Sequence, residues 1–108
     1  MKVYNIDDMK RGWFVGNFDP AVLKTEKFEV GYHRHEAGDP THAHYHKNST
    51  EVNVIIKGRM IINGKELSSG DIFVFEPYTV SEGEYLEDTD LIVVRDASNP
   101  GDKYLVCP

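Results

Sequence analysis

The sequence has 108 residues, of which 40% are hydrophobic and 28% are charged, and its formal net charge is −6 at pH 7. This length predicts one domain with one modest core. The acidic balance argues against nucleic acid and anionic membranes as partners, because both attract basic surfaces. No apolar run approaches the ~20 residues of a membrane span, and the Met1 end lacks a signal-peptide core. The single cysteine, Cys107, cannot form an internal disulfide, so we expect a cytoplasmic protein.

The first third of the chain predicts short strands. The apolar run WFVGNF, residues 13–18, reads as a strand that ends at Asp19-Pro20. We expect Trp13 and Phe18 to pack in the core or at a dimer interface, with stacking on a ligand as the alternative. An exposed patch of Trp13, Phe14 and Phe18 would favour a dimer.

Residues 25–36 alternate between apolar and polar side chains, which is typical of a half-buried strand. We expect the apolar face to pack inward and the polar face to meet solvent, with a ligand role for His33 and His35 as the alternative. The apolar face carries Phe28, Val30 and Tyr32, and the polar face carries Glu29, Gly31, His33 and His35. Arg34 follows the apolar face and is a candidate for the mouth of a ligand pocket.

The stretch from Gly38 to Gly58, GDPTHAHYHKNSTEVNVIIKG, carries the main chemical signal. Side chains two apart on a strand point to one face, about 6.6 Å apart along it. His44 and His46 can therefore converge on one metal ion, with nitrogen ligands at roughly 2.0–2.2 Å. The turn at residues 47–50 reverses the chain, so that Glu51 can return on the neighbouring strand as an oxygen ligand. His42 continues the alternation, but three such positions span about 13 Å, so we expect His42 at the rim, with a ligand role as the alternative.

The rest of the chain predicts further strands and tight turns. Residues 51–57 are rich in β-branched residues, and Asn53 shares the face of Glu51, which makes it a pocket candidate. Asn63-Gly64 is a hairpin signal, and runs at residues 72–75 and 91–94 read as buried strands. No segment has helical periodicity, so the chain is expected to be all-β, either a barrel or a double-sheet jelly roll.

These spacings resemble the cupin superfamily. Residues 38–58 match the first signature motif of this superfamily at every spacing. The match runs from Gly38 through five residues to His44-Tyr45-His46, then through four residues to Glu51, and then through six residues to Gly58. Residues 70–82, beginning GDIFVFEP, look like a degenerate second motif in which Ser81 stands where the family has a histidine. The resemblance implies a single cupin domain over residues 1–108, with a double-stranded β-helix fold.

The resemblance also implies a metal site of three histidines and one glutamate, of which this chain keeps His44, His46 and Glu51. Ser81 then becomes a pocket residue, and His42 a possible substitute ligand. Glu82 or Glu84 could reach inward on a bulged strand, although the carboxylates of residues 82–90 favour a solvated loop. Two histidines and one carboxylate suit Fe(II), and the set also accepts Mn, Ni or Zn.

Three functions remain open on the sequence. The first is a mononuclear-metal enzyme that acts on a small oxygen-rich molecule, such as a sugar, a sugar acid or an oxygenase substrate. Alternatively, the chain is a non-catalytic module that binds a carbohydrate-like ligand at a degenerate site, or a structural dimer with an unused pocket. We expect a homodimer in each case. Inward-facing Arg34, Arg59 or Arg95 would imply an anionic ligand, but strand parity does not settle their facing.

Overall fold

The computed structural model describes residues 1–106, so Cys107 lies outside the described residues. It contains one 3-10 helix, Ile6–Asp8, and otherwise strands joined by turns. The first six strands are β1 (Trp13–Gly16), β2 (Leu23–Lys24), β3 (Glu29–His35), β4 (His44–Tyr45), β5 (Thr50–Lys57) and β6 (Arg59–Ile62). The others are β7 (Lys65–Ser68), β8 (Ile72–Phe75), β9 (Gly83–Tyr85), β10 (Thr89–Asp96) and β11 (Tyr104–Leu105). The all-β expectation is confirmed.

The strands form two facing layers. One layer is a six-stranded sheet in the order β2-β1-β3-β10-β5-β8, in which only the β1–β2 pair is parallel. The other contains the three-stranded sheet β7-β6-β9 and the ribbon β11-β4. An isolated bridge between His44 and Ser81 joins the ribbon to the chain entering β9. Side chains from both layers fill the space between them: Ile55, Met60, Ile62, Phe75, Tyr85, Leu91 and Val93.

Local sequence accounts for two of the turns. Asn63 and Gly64 have φ angles of 46° and 78°, the left-handed values that a two-residue hairpin turn requires, and they join β6 to β7 as expected. Gly58, the last residue of the first motif, has a φ of 103°, and a Cβ there would lie 2.5 Å from the carbonyl oxygen of Asp88. A side chain at position 58 would therefore clash with the loop before β10.

The expected facing of β3 is wrong. Glu29 is 3% exposed and His33 and His35 line the space between the layers, whereas Tyr32 and Arg34 lie on the outer face. The outer face of the six-stranded sheet is itself apolar, so the apolar side chains of β3 belong there. Trp13 also differs from an exposed patch, because it packs against the buried core and contacts the ring of Phe18 edge-on at 6.4 Å. Within residues 1–106, no helix is long and apolar enough to cross a bilayer.

Candidate functional site

A cavity of about 240 Å³ lies between the two layers. One part of its wall is apolar, formed by Met60, Ile62, Phe73, Phe75, Leu91 and Val93. The other part carries the polar side chains: His33, His35, His42, His44, Glu51, Asn53, Ser81, Arg95 and Lys103. Pockets for drug-sized ligands occupy ~300–1,000 Å³, so this cavity suits a small molecule.

The two motif histidines have one ring nitrogen fixed by the backbone. Nδ1 of His44 lies 2.8 Å from the carbonyl oxygen of His42, and Nδ1 of His46 donates to the carbonyl oxygen of Asp102. A carbonyl can only accept, so Nδ1 carries the proton in both rings. In the neutral rings, Nε2 is then the lone-pair atom, which is the form that binds metals. Burial lowers the pKa of His44 and so favours its neutral form.

Glu51 is 6% exposed and faces into the cavity. Its Oε1 accepts from Nε of Arg95 at 2.8 Å and its Oε2 accepts from Asn53 at 3.2 Å. Burial raises the pKa of Glu51, but the nearby His46 and the charge and hydrogen bond of Arg95 outweigh it and bring the pKa to about 2. Glu51 is therefore a carboxylate at neutral pH.

Ser81 lies directly across from His44. The two residues exchange backbone hydrogen bonds of 3.2 and 2.7 Å, and Ser81 also lines the cavity. Directly opposed residues of an antiparallel pair have Cα atoms about 4.5–5.5 Å apart. A histidine at position 81 would thus stand beside His44, whereas the serine hydroxyl is short and a poor metal ligand. Glu82 and Glu84 are exposed, as expected of a solvated acidic segment.

The atoms that His44, His46 and Glu51 offer are suitable ligands for a divalent transition metal, but the positions of these side chains are not those of a metal site. His46 Nε2 is buried without a hydrogen-bond partner, and it lies 3.6 Å from Oε1 of Glu51. A buried lone pair beside a carboxylate is what an ion would use. However, no three His, Cys, Asp or Glu side chains among residues 1–106 are placed to hold one ion. Both oxygens of Glu51 already accept hydrogen bonds.

The remaining candidates occupy three different places. Asn53 is 4% exposed and lines the cavity beside Glu51, and His42 is an exposed residue at the cavity rim. Arg34 does not line this cavity: it lies on the outer face of β3, 3.7 Å from Asp7 and over the ring of Tyr32. Arg59 is exposed and pairs with Glu87. Of the three arginines left open by the sequence, only Arg95 faces the cavity.

Sequence reasoning missed Asp102, which lies in the turn before β11. Its side chain is buried and accepts from the backbone N–H groups of Lys47 and Asn48 at 2.8 and 2.9 Å, and from the Ser49 hydroxyl at 3.1 Å. Its backbone carbonyl accepts from His46. Asp102 thus holds both the turn of the first motif and the ring of His46. The NPGD turn was visible in the sequence, but its long-range contact with residues 47–49 was not.

Comparison with solved structures finds the same fold in several proteins. A conserved protein with a double-stranded β-helix domain from Klebsiella pneumoniae has a TM-score of 0.72 at 20% identity, over 100% of this chain and 99% of that one. KdgF from Halomonas sp. has a TM-score of 0.66 at 21% identity, over 70% and 74%. A salicylate 1,2-dioxygenase variant from Pseudoaminobacter salicylatoxidans, in complex with gentisate, has a TM-score of 0.64 at 22% identity.

This chain spans about a quarter of that dioxygenase, since the alignment covers 78% of this chain and 25% of the other. Neither a protein-family model nor a curated protein matches the sequence. At these identities the solved structures establish the fold, and they include an RmlC-like cupin from Shewanella frigidimarina at a TM-score of 0.64. The two layers, their strand order and these neighbours together show that the chain has the double-stranded β-helix fold.

Proposed function

We propose that this chain is a small metal-binding cupin, with His44, His46 and Glu51 as ligands, that acts on a small oxygen-rich molecule in the cavity. The observation that carries the proposal is the state of the donors. Backbone carbonyls fix the protons of both histidines on Nδ1, which leaves Nε2 free in the neutral rings, and Glu51 is ionised. Fe, Mn, Ni and Zn are all compatible with this set.

A metal bound by these residues would polarise a substrate oxygen or lower the pKa of bound water. The chain's own residues would do the rest. The phenylalanine and aliphatic side chains of the cavity wall exclude water from one side of the ligand. Asn53 and Ser81 offer short polar groups to the ligand's oxygens. The cavity volume limits the ligand to the size of a sugar, a sugar acid or a single-ring substrate of an oxygenase.

A second candidate function is a non-catalytic module that binds a small carbohydrate-like ligand. Two observations favour it: Ser81 replaces a histidine beside His44, and Arg95 already neutralises Glu51. In this function the polar wall hydrogen-bonds the ligand directly, and no metal is needed. A metal-dependent turnover that Glu51→Gln abolishes would exclude this alternative.

The first test is elemental analysis of untagged protein, purified without an immobilised-metal column and then reconstituted with Fe(II), Mn, Ni or Zn. We expect near-stoichiometric metal in the wild type and its loss in His44→Ala and Glu51→Gln, because each variant removes one of three ligands. His42→Ala is the matched control, since His42 lies at the rim of the same cavity. Retention of metal in His42→Ala supports the ligand set. Wild-type uptake no greater than that of His44→Ala would contradict the metal proposal.

A further inference from the structure

Three charged side chains form one row across the inner face of the six-stranded sheet. Arg95 on β10 stands directly opposite Glu29 on β3 and directly opposite Glu51 on β5. Its Nε donates to Glu51 at 2.8 Å, and one terminal guanidinium nitrogen lies 4.0 Å from Oε2 of Glu29. The guanidinium also lies over the ring of Trp13, 4.9 Å from its centre. Arg95 therefore joins two carboxylates on neighbouring strands.

All three side chains are largely removed from solvent. The exposed fractions of the side chains are 4% for Glu29, 8% for Glu51 and 16% for Arg95. A buried carboxylate without a cation is costly, so Arg95 supplies the positive charge that both carboxylates need when no other cation is present. The first cupin motif contributes only Glu51 to this row, and Glu29 and Arg95 lie outside both motifs.

We propose that Arg95 is an internal counter-cation that competes with the metal ion for Glu51. The inference rests on the proposed function, because it takes Glu51 as a metal ligand. Arg95 and Asn53 each donate to one carboxylate oxygen of Glu51, so an ion at Glu51 would share the negative charge of that carboxylate with the Arg95 guanidinium and weaken its hydrogen bond. A guanidinium and a divalent cation also repel each other at short range. This competition explains why the donor chemistry fits a metal while the present arrangement does not.

Glu29 is the second partner that makes such an exchange feasible. It is 3% exposed, and its Oε1 has no hydrogen-bond partner within residues 1–106. Arg95 can therefore keep a buried carboxylate partner when Glu51 is taken up by an ion. Without Glu29, an Arg95 guanidinium that lost its contact with Glu51 would have no buried carboxylate partner, which is costly in a poorly solvated position. The inference thus gives Glu29 and Arg95 opposite effects on metal affinity.

The experiment measures Zn²⁺ affinity by competition with a chromophoric chelator, which requires no knowledge of the substrate. Arg95→Met removes the competing cation, and we expect it to tighten Zn²⁺ binding about 10- to 100-fold, the equivalent of one hydrogen bond to a charged group. Glu29→Gln removes the alternative partner, and we expect it to weaken Zn²⁺ binding. Arg59→Met is the matched control, because Arg59 is exposed and pairs with Glu87 away from the cavity; it should leave the affinity unchanged.

An affinity in Arg95→Met that equals the wild-type value or falls below it would overturn the inference. The proposed function is judged separately, by whether His44→Ala abolishes the Zn²⁺ binding of the wild type. If Zn²⁺ binds Arg95→Met but not the wild type, the inference holds and Arg95 keeps the wild-type site free of metal. If no variant binds Zn²⁺ better than His44→Ala, both ideas fail.

A second measurement uses the wild type and so does not depend on the folding of Arg95→Met. Zn²⁺ is titrated into ¹⁵N-labelled protein while the side-chain Nε–H signal of Arg95, assigned with Arg95→Lys, is followed by NMR. Loss of the hydrogen bond to Glu51 should shift this signal in step with Zn²⁺ binding. An Arg95 signal that stays fixed at saturating Zn²⁺ would overturn the inference.

Discussion

His33 is a histidine whose surroundings keep it uncharged. Burial lowers its pKa to about 4, and the neighbouring His35 and Arg95 act in the same direction. Its ring contacts Trp13 edge-on at 4.7 Å, and its Nε2 has no hydrogen-bond partner in the part of the chain that the structure describes. Protonation of His33 would place a positive charge in a poorly solvated position near Arg95, and this makes the stability of the fold dependent on pH.

The sign follows from the two pKa values. In the unfolded chain His33 has an ordinary pKa near 6.5, so between about pH 6.5 and 4 the unfolded state binds the additional proton and stability falls as the pH falls. Above about pH 6.5 His33 is neutral in both states, so it causes no loss of stability there. Between pH 7 and 4.5, we expect the unfolding free energy of His33→Gln to fall by about 2 kcal/mol less than that of the wild type.

Urea unfolding at pH 7 and 4.5 measures this effect, with His42→Gln as the control because His42 is exposed. Glu51 also makes the stability depend on pH, but in a lower pH range. Its pKa of about 2 lies below the ordinary value, so its stabilisation is complete above about pH 4.5 and is lost as the pH falls towards 2. A His33→Gln protein with the same acid sensitivity as His42→Gln would contradict the assignment to His33.

At the scale of elements, Asp102 fastens the turn before β11 to the turn between β4 and β5. Its two carboxylate oxygens accept from backbone donors of consecutive residues, Oδ1 from Lys47 and Oδ2 from Asn48. Burial raises the pKa of Asp102, but these hydrogen bonds outweigh it and lower the pKa. An asparagine has one acceptor oxygen, so Asp102→Asn would leave one backbone N–H facing an amide NH₂. We expect it to cost about 1–3 kcal/mol of unfolding free energy.

The measurement is urea unfolding, with Asp71→Asn as the matched control. Asp71 also accepts from a backbone N–H, that of Ser68 at 2.8 Å, but it is exposed in a turn away from His46. Because the backbone of Asp102 holds the His46 ring, we also expect Zn²⁺ affinity to fall about tenfold or more in Asp102→Asn. Equal stability of the two variants would show that the hydrogen bonds between the Asp102 carboxylate and residues 47–48 are not needed to hold the turn of the first motif.

The same elements show what the sequence could and could not predict. The Asn63-Gly64 turn is a local signal, and it correctly placed the hairpin of β6 and β7. Glu51 faces inward as expected, but the expected pairing of its strand with the histidine strand is wrong, because β4 pairs with β11 while β5 pairs with β10 and β8. The facing of β3 was not a local property. Val30 and Tyr32 pack outward because the outer surface of the sheet is apolar, while Glu29 is accepted inside because Arg95 stands opposite it on β10.

Arg95 itself illustrates the limit. The run at residues 91–94 is apolar at every position, so alternation gave no facing for the arginine that follows it. The pairing of β10 with both β3 and β5 settles it, and pairing between distant strands cannot be read from a single sequence. Asp102 is hidden for the same reason, since it acts on residues more than fifty positions away.

At the scale of the whole molecule, the outer face of the six-stranded sheet is apolar and partly exposed. On β8, which forms an edge of the sheet, Ile72 is 65% and Val74 is 53% exposed. Neighbouring strands continue the surface with Val52, Ile56 and Val94, which are 36%, 49% and 36% exposed. A contiguous apolar patch of this kind is typical of an interaction surface.

We propose that this face, rather than Trp13 and Phe18, is the interface of the expected homodimer. An isologous dimer places each patch against its own copy, so one introduced charge appears twice at the interface. We expect Val74→Glu to shift the protein from dimer to monomer, because two carboxylates would be desolvated side by side. Leu105→Glu is the matched control, since Leu105 is 62% exposed but lies on β11 in the other layer. Sedimentation equilibrium over a hundredfold concentration range distinguishes the outcomes. A wild type that stays monomeric throughout would contradict the dimer, and a dimer that tolerates Val74→Glu would place the interface on another surface.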